Sequence, residues 1–115
     1  MSLSINLDNG SLFLFDFELC SPECLPLEVA NSLAKWIKRK VITYEQGIKC
    51  FELFQKIPIK LIEVDFNNAL RYAAEENQYV YDMFYLDLAI KTGKSLLTID
   101  KYLFEIASNR GVVCL

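Results

Sequence analysis

Apolar and polar positions change their spacing several times along this 115-residue chain, and each change marks an element. Residues 3–7 and 11–19 alternate on either side of Asp8-Asn9-Gly10. Asn-Gly between alternating runs signals a hairpin, because both turn positions tolerate positive φ. The spacing then lengthens. Leu27, Ala30, Leu33, Ala34, Ile37 and Val41 recur at helical intervals and predict one apolar stripe on a helix over 26–40. Thr43 followed by Gln46 is a capping box, opening a helix over 44–56 that ends before Pro58.

From residue 59 the two periods alternate. "IKLIEV", 59–64, is β-rich, and Asp65 caps a helix over 66–76. "VYDMFYLDLAI", 80–90, is apolar nearly throughout and predicts a buried helix over 80–92, closed by Gly93. "SLLTI", 95–99, has the continuous apolar run of a buried strand. A helix follows over 100–109, and "VVCL" reads as the last strand. This order predicts an α/β fold with a mostly parallel sheet covered by helices on both faces, in a single domain over 1–115.

In such sheets, ligands bind beyond the carboxyl ends of the strands. Asp100 directly follows "SLLTI" and Thr98 precedes it by two, so both belong to that rim. Asp82, in the first turn of its helix, joins them if that helix packs beside the strand. Glu28 sits among Leu25, Leu27, Val29 and Ala30, where burying an unpaired charge is costly. Each of the three acids has a second reading, as a first-turn residue favoured by the helix dipole. Asp87 is expected on a solvated face, because acids are seldom buried unpaired. Asp65 needs no role beyond its cap.

Three stretches, "ELCSPECLPLEVANSLAKWIKR", "YDMFYLDLAIKTGKSLLTIDKYL" and "NRGVVCL", together resemble the PIN-domain family, in particular the VapC-like toxin ribonucleases. The likeness covers residues 15–115. Its second acid corresponds to Glu28 in the run from Pro22 to Leu33. The third corresponds to Asp82 in the Tyr81-Asp82 helix with Tyr85, Leu86, Leu88 and Ala89. The fourth corresponds to Asp100 in Thr98-x-Asp100. The resemblance implies a PIN-like three-layer fold and an endoribonuclease in which Glu28, Asp82 and Asp100 hold Mg²⁺ or Mn²⁺. It also implies a homodimer neutralised by a small antitoxin whose helix crosses the acidic site. The physics is compatible, since clustered carboxylates are hard oxygen donors suited to those ions.

The chain departs from the family at its start. The usual first strand, ending in the first catalytic Asp, and the two helices after it have no counterpart. A hairpin strand at 3–7, with antiparallel pairing as one option, or a strand exchanged with a second copy, is expected in that central place. Asp8 and Asp16 are the two candidates for the first acid. An alternative function follows: a catalytically impaired PIN-like protein that binds or dimerises.

Composition narrows the classes further. Hydrophobic content of 53% with 23% charged residues suits a globular domain, and 115 residues can bury about two-thirds of the unfolded surface. No apolar run reaches the ~18 residues that span a bilayer, and no signal peptide opens the chain, so a cytoplasmic protein with no membrane partner is expected. A net charge of -3 gives no basic footprint for long nucleic acid, although Lys91, Lys94 and Lys101 flank the candidate site as RNA-phosphate contacts or ordinary surface lysines. Cys20, Cys24, Cys50 and Cys114, without any His, read as packed thiols rather than a zinc set. Trp36, Phe51, Phe54, Phe84 and Tyr85 read mainly as core, with a partner groove as the other possibility.

Overall fold

The computed structural model describes residues 2–7 and 17–115. The Asp8-Asn9-Gly10 turn, the first part of the expected second strand, and the candidate acids Asp8 and Asp16 lie outside the described residues. In chain order the elements are β1 (Ser2–Leu7), β2 (Phe17–Pro22), α1 (Leu25–Lys38), α2 (Tyr44–Gln55), β3 (Ile59–Ile62), α3 (Phe66–Glu76), α4 (Val80–Thr92), β4 (Ser95–Thr98) and α5 (Lys101–Asn109). They form two compact units, Met1–Glu23 with Ile59–Leu115, and Cys24–Pro58.

The first unit is mixed α/β. Its sheet has the order β3-β2-β1-β4. Strand β2 pairs in parallel with β3, with Cys20 opposite Lys60 and Pro22 opposite Ile62. Strand β1 runs antiparallel to both neighbours, with Ser4 opposite Cys20 on one side and Leu96 on the other. The sheet is therefore mixed in its pairing, not mostly parallel. Yet β2, β3 and β4 all point one way, and only β1 is reversed. An interior place is filled by the first strand of this same chain, as expected of a hairpin strand. The chain's end adds a bridge instead of a full strand: Leu96 accepts from Leu115 N–H at 2.9 Å and donates to the Val113 carbonyl at 2.8 Å.

Helix α4 is the centre of this unit. It packs on β1, β2, β4, α3 and α5, and every residue from Met83 to Ala89 is buried. A helix apolar on all sides has no face to offer water, so the fold surrounds it. Leu96, Ala69, Leu103 and Ala107 complete the core. "SLLTI" is not buried on both sides: Leu96 is fully buried, but Leu97 is 40% and Ile99 88% exposed. Residues adjacent on a strand face opposite ways, and only Leu96 is sealed inside.

Helices α3 and α5 are joined by Arg110, which bonds Glu76 and Glu75 at 2.8 Å each and stacks over the Tyr72 ring at 4.7 Å. These carboxylates hold the guanidinium pKa above its ordinary value, Glu75 contributing most.

The second unit is a helical pair. The expected capping box of α2 is present: Gln46 N–H donates to Thr43 Oγ1 at 3.1 Å and Thr43 N–H to Gln46 Oε1 at 2.9 Å. Gly47 lets α2 approach α1, since a Cβ there would stand 2.6 Å from Ile37 Cδ1. The predicted stripe on α1 needs correction. Leu25, Val29 and Leu33 are buried, while Leu27 and Val41 are 70% and 68% exposed. The apolar arc of α1 is wider than one contact, and the ridge at four-residue spacing is the part that packs.

Helix α1 ends in a Schellman motif. Lys40 N–H bonds the Ile37 carbonyl at 3.0 Å and Val41 N–H the Trp36 carbonyl at 2.9 Å. Lys40 takes the left-handed conformation this requires, at φ 60°.

Candidate functional site

Asp100 stands where the sequence places it, immediately beyond the carboxyl end of β4. As N-cap of α5, its Oδ1 accepts from Tyr102 N–H at 2.9 Å and Leu103 N–H at 3.0 Å. Its own N–H donates to Thr98 Oγ1 at 3.1 Å. Thr98, Ile99, Asp100, Lys101, Phe104 and Glu105 line an open cleft of ≈ 320 Å³. Asp82 lies half-buried in the first turn of α4. Both belong to the first unit. Glu28, half-buried in the first turn of α1, belongs to the second.

The rim holding Asp100 differs from a wholly parallel sheet in one respect. There β2 and β4 end in Pro22 and Thr98, but β1 begins, with Ser2 opposite Thr98. Its carboxyl end, Leu7, pairs with Phe17 at the opposite rim. Mg²⁺ and Mn²⁺ suit a carboxylate donor set in kind. In number the fit is not met, because no three His, Cys, Asp or Glu residues gather into a metal-holding group among the described residues.

A second polar cluster lies beyond the carboxyl end of β3, and it corrects the expectation for Asp87. That residue is buried, at 4% exposure. Lys91 Nζ lies 3.0 Å from its Oδ2, and Asn68 Nδ2 donates to its Oδ1 at 3.3 Å. A charge is tolerated inside when hydrogen-bonded and paired. The sequence signal was Lys91, one turn later in a helix with no polar face. Lys91 also lies 3.5 Å from Asp65 Oδ2, and Asp65 accepts from Asn68 N–H at 3.0 Å as the cap of α3. Asp87, foremost by hydrogen bonding, holds the Lys91 pKa above its ordinary value. The Asn68 N–H, aided by Lys91, holds the Asp65 carboxyl below its usual range against some desolvation. Glu63, Val64, Asp65, Phe66, Asn67 and Lys91 line the neighbouring open cleft.

Two of the three lysines read as RNA contacts or ordinary surface lysines are engaged within the fold. Lys91 bridges two carboxylates, and Lys94 donates to Cys20 Sγ at 3.3 Å and lies 3.9 Å from Glu18 Oε2. Lys101 remains exposed beside Asp100. None of the four cysteines is in a disulfide, and Cys20 and Cys24 are buried. Phe84 and Tyr85 are core residues. Phe51 and Phe54 are half-buried against each other, with ring centroids 5.7 Å apart, and Trp36 is 46% exposed. No helix among the described residues is long and apolar enough to cross a membrane. No protein-family model matches this chain, and no curated protein matches its sequence.

Proposed function

We propose that this chain is a PIN-like, three-layer, metal-dependent endoribonuclease, acting in the cytoplasm as the VapC-like toxin of a toxin–antitoxin pair. The observation that carries the reading is Asp100, set directly beyond the carboxyl end of β4 with Thr98 bonded behind it. Asp82 opens the helix leading into that strand, and Glu28 opens α1 after β2, in the order the resemblance requires. The resemblance names Glu28, Asp82 and Asp100 as the acids for Mg²⁺ or Mn²⁺, although the described residues do not gather them into one metal-holding group. The likeness also argues for a homodimer and a small antitoxin as partners.

The test is RNA cleavage in Mn²⁺ and Mg²⁺, with calorimetric metal titration of the wild type and of Asp100→Asn. Asparagine caps a helix as well as aspartate, so the variant keeps its fold and is expected to lose both metal heat and cleavage. Wild type that cuts no RNA in either metal sinks the proposal.

A second reading, the catalytically impaired PIN-like protein that binds or dimerises, is favoured by the reversed β1. This strand brings its amino end, not its carboxyl end, to the rim of Asp100. Metal-dependent cleavage abolished by Asp100→Asn would eliminate that reading.

A further inference from the structure

The chain-wide charge of -3 averages two opposite regions. Cys24–Pro58 carries six Lys and Arg against three Asp and Glu, and the rest carries six against twelve. The positive excess is concentrated where α1 ends. Lys35, Lys38, Arg39 and Lys40 are all exposed there, and no acid intervenes between Glu28 and Glu45. Trp36 is 46% exposed among them and Tyr44, opening α2, is 63% exposed.

These cations are not consumed by the fold. The ion pairs among the described residues involve Lys91, Lys94 and Arg110, all in the other unit. The helix dipole accounts for Lys35 and Lys38 in the last turn, but Arg39 and Lys40 lie past it. Nor are the side chains needed as caps. The carbonyls of Lys35, Trp36 and Ile37 already accept from the N–H groups of Arg39, Val41 and Lys40. Lys40 also occupies a left-handed position that glycine fills without strain. A cationic side chain is thus kept there at some cost in stability.

We propose that the end of α1 is a docking surface for single-stranded RNA. Lys35, Lys38, Arg39 and Lys40 bind phosphates, and Trp36 and Tyr44 offer rings for unpaired bases to stack on. Cations with interleaved aromatic rings are the recognition chemistry of single strands. An anionic lipid surface is the weaker fit, because a surface-lying helix presents its apolar stripe to the bilayer, whereas Leu25, Val29 and Leu33 of α1 are buried. In naming a binding surface for the RNA, this proposal deepens the nuclease reading; it is tested apart from cleavage.

The experiment is fluorescence anisotropy of a labelled single-stranded RNA with the full chain in EDTA, repeated over a range of salt. Four phosphate contacts give a slope of log affinity against log salt of about -3, and the triple variant Lys38→Ala/Arg39→Ala/Lys40→Ala should flatten it by about 2. Trp36→Ala should weaken binding on the order of tenfold. Lys60→Ala, which removes an exposed cation of the other unit, should leave affinity unchanged, and thermal melts confirm that each variant is folded. Wild-type affinity and slope in the triple variant overturn the proposal. So does a wild type that binds anionic vesicles, or its own copies, but not RNA. RNA bound in EDTA yet never cut in Mn²⁺ leaves this surface standing and removes the nuclease reading. RNA cut in Mn²⁺ with the triple variant binding as wild type does the reverse.

Discussion

The two units of this protein use charge in opposite ways. In the sheet-bearing unit, Lys91, Lys94 and Arg110 each lie against carboxylates, and one of those carboxylates, Asp87, is buried. In Cys24–Pro58, capping and packing come from backbone groups, Thr43, Gln46 and Gly47, and the cations at the end of α1 face water. Charge in the first unit connects elements, whereas Lys35, Lys38, Arg39 and Lys40 in the second are exposed and enter none of these ion pairs. The contrast implies that removing a charge should cost stability in one unit and binding in the other.

The largest effect on stability should come from Asp87→Ala. It strips Lys91 and Asn68 of a shared acceptor in a buried place, and a loss of about 1–3 kcal/mol is expected. Lys91 is 44% exposed and can turn to water, which keeps the figure below that of a wholly buried pair. Arg39→Ala in the other unit should stay within about 0.5 kcal/mol. Urea melts of the two variants side by side would show it, and equal losses would dissolve the contrast.

A smaller effect, of opposite sign, is expected at Lys40. Lys40→Gly relieves a left-handed conformation at φ 60° and keeps both Schellman bonds, so the protein should gain about 1 kcal/mol. The same change should weaken RNA binding. A variant that melts no later than wild type would show that Lys40 is not kept at the expense of stability.

Much of this was legible from the residues. Periodicity and caps placed the helices within about two residues, because Thr43, Asp65 and Gly93 end elements by local hydrogen bonding alone. The reversal of β1 was legible only as one option. Strand direction depends on pairing with Thr98, more than ninety positions away in sequence, which no local pattern encodes. Asp87 was misplaced for a related reason. Its helix showed no polar face, so burial was readable, but its acceptor role towards Asn68 depends on α3 packing beside α4. Asp100 was placed correctly, since a strand end followed by an N-cap is a local arrangement. That the described acids form no metal-holding group depends on packing between elements, which spacing along the chain does not encode. The basic run at the end of α1 was in plain view but was averaged away by the charge of the whole chain.

The smallest effect tests whether the network around Lys91 acts through charge at all. The Asp65 carboxyl is held below its usual value, first by the Asn68 N–H and then by Lys91. A group with a depressed folded pKa binds fewer protons folded than unfolded. Its contribution is therefore complete above the unfolded value, about 3.9, and is lost as pH falls through the folded one. Thermal melts of wild type should drop in that acid range more steeply than those of Asp65→Asn, which keeps the neutral cap to Asn68 without the charge. At 39% side-chain exposure the difference should be modest and shrink in high salt. Identical acid limbs would mean that the hydrogen bond alone serves α3. Lys91 would then be set by Asp87, and the ionic character of this unit would rest on that buried carboxylate.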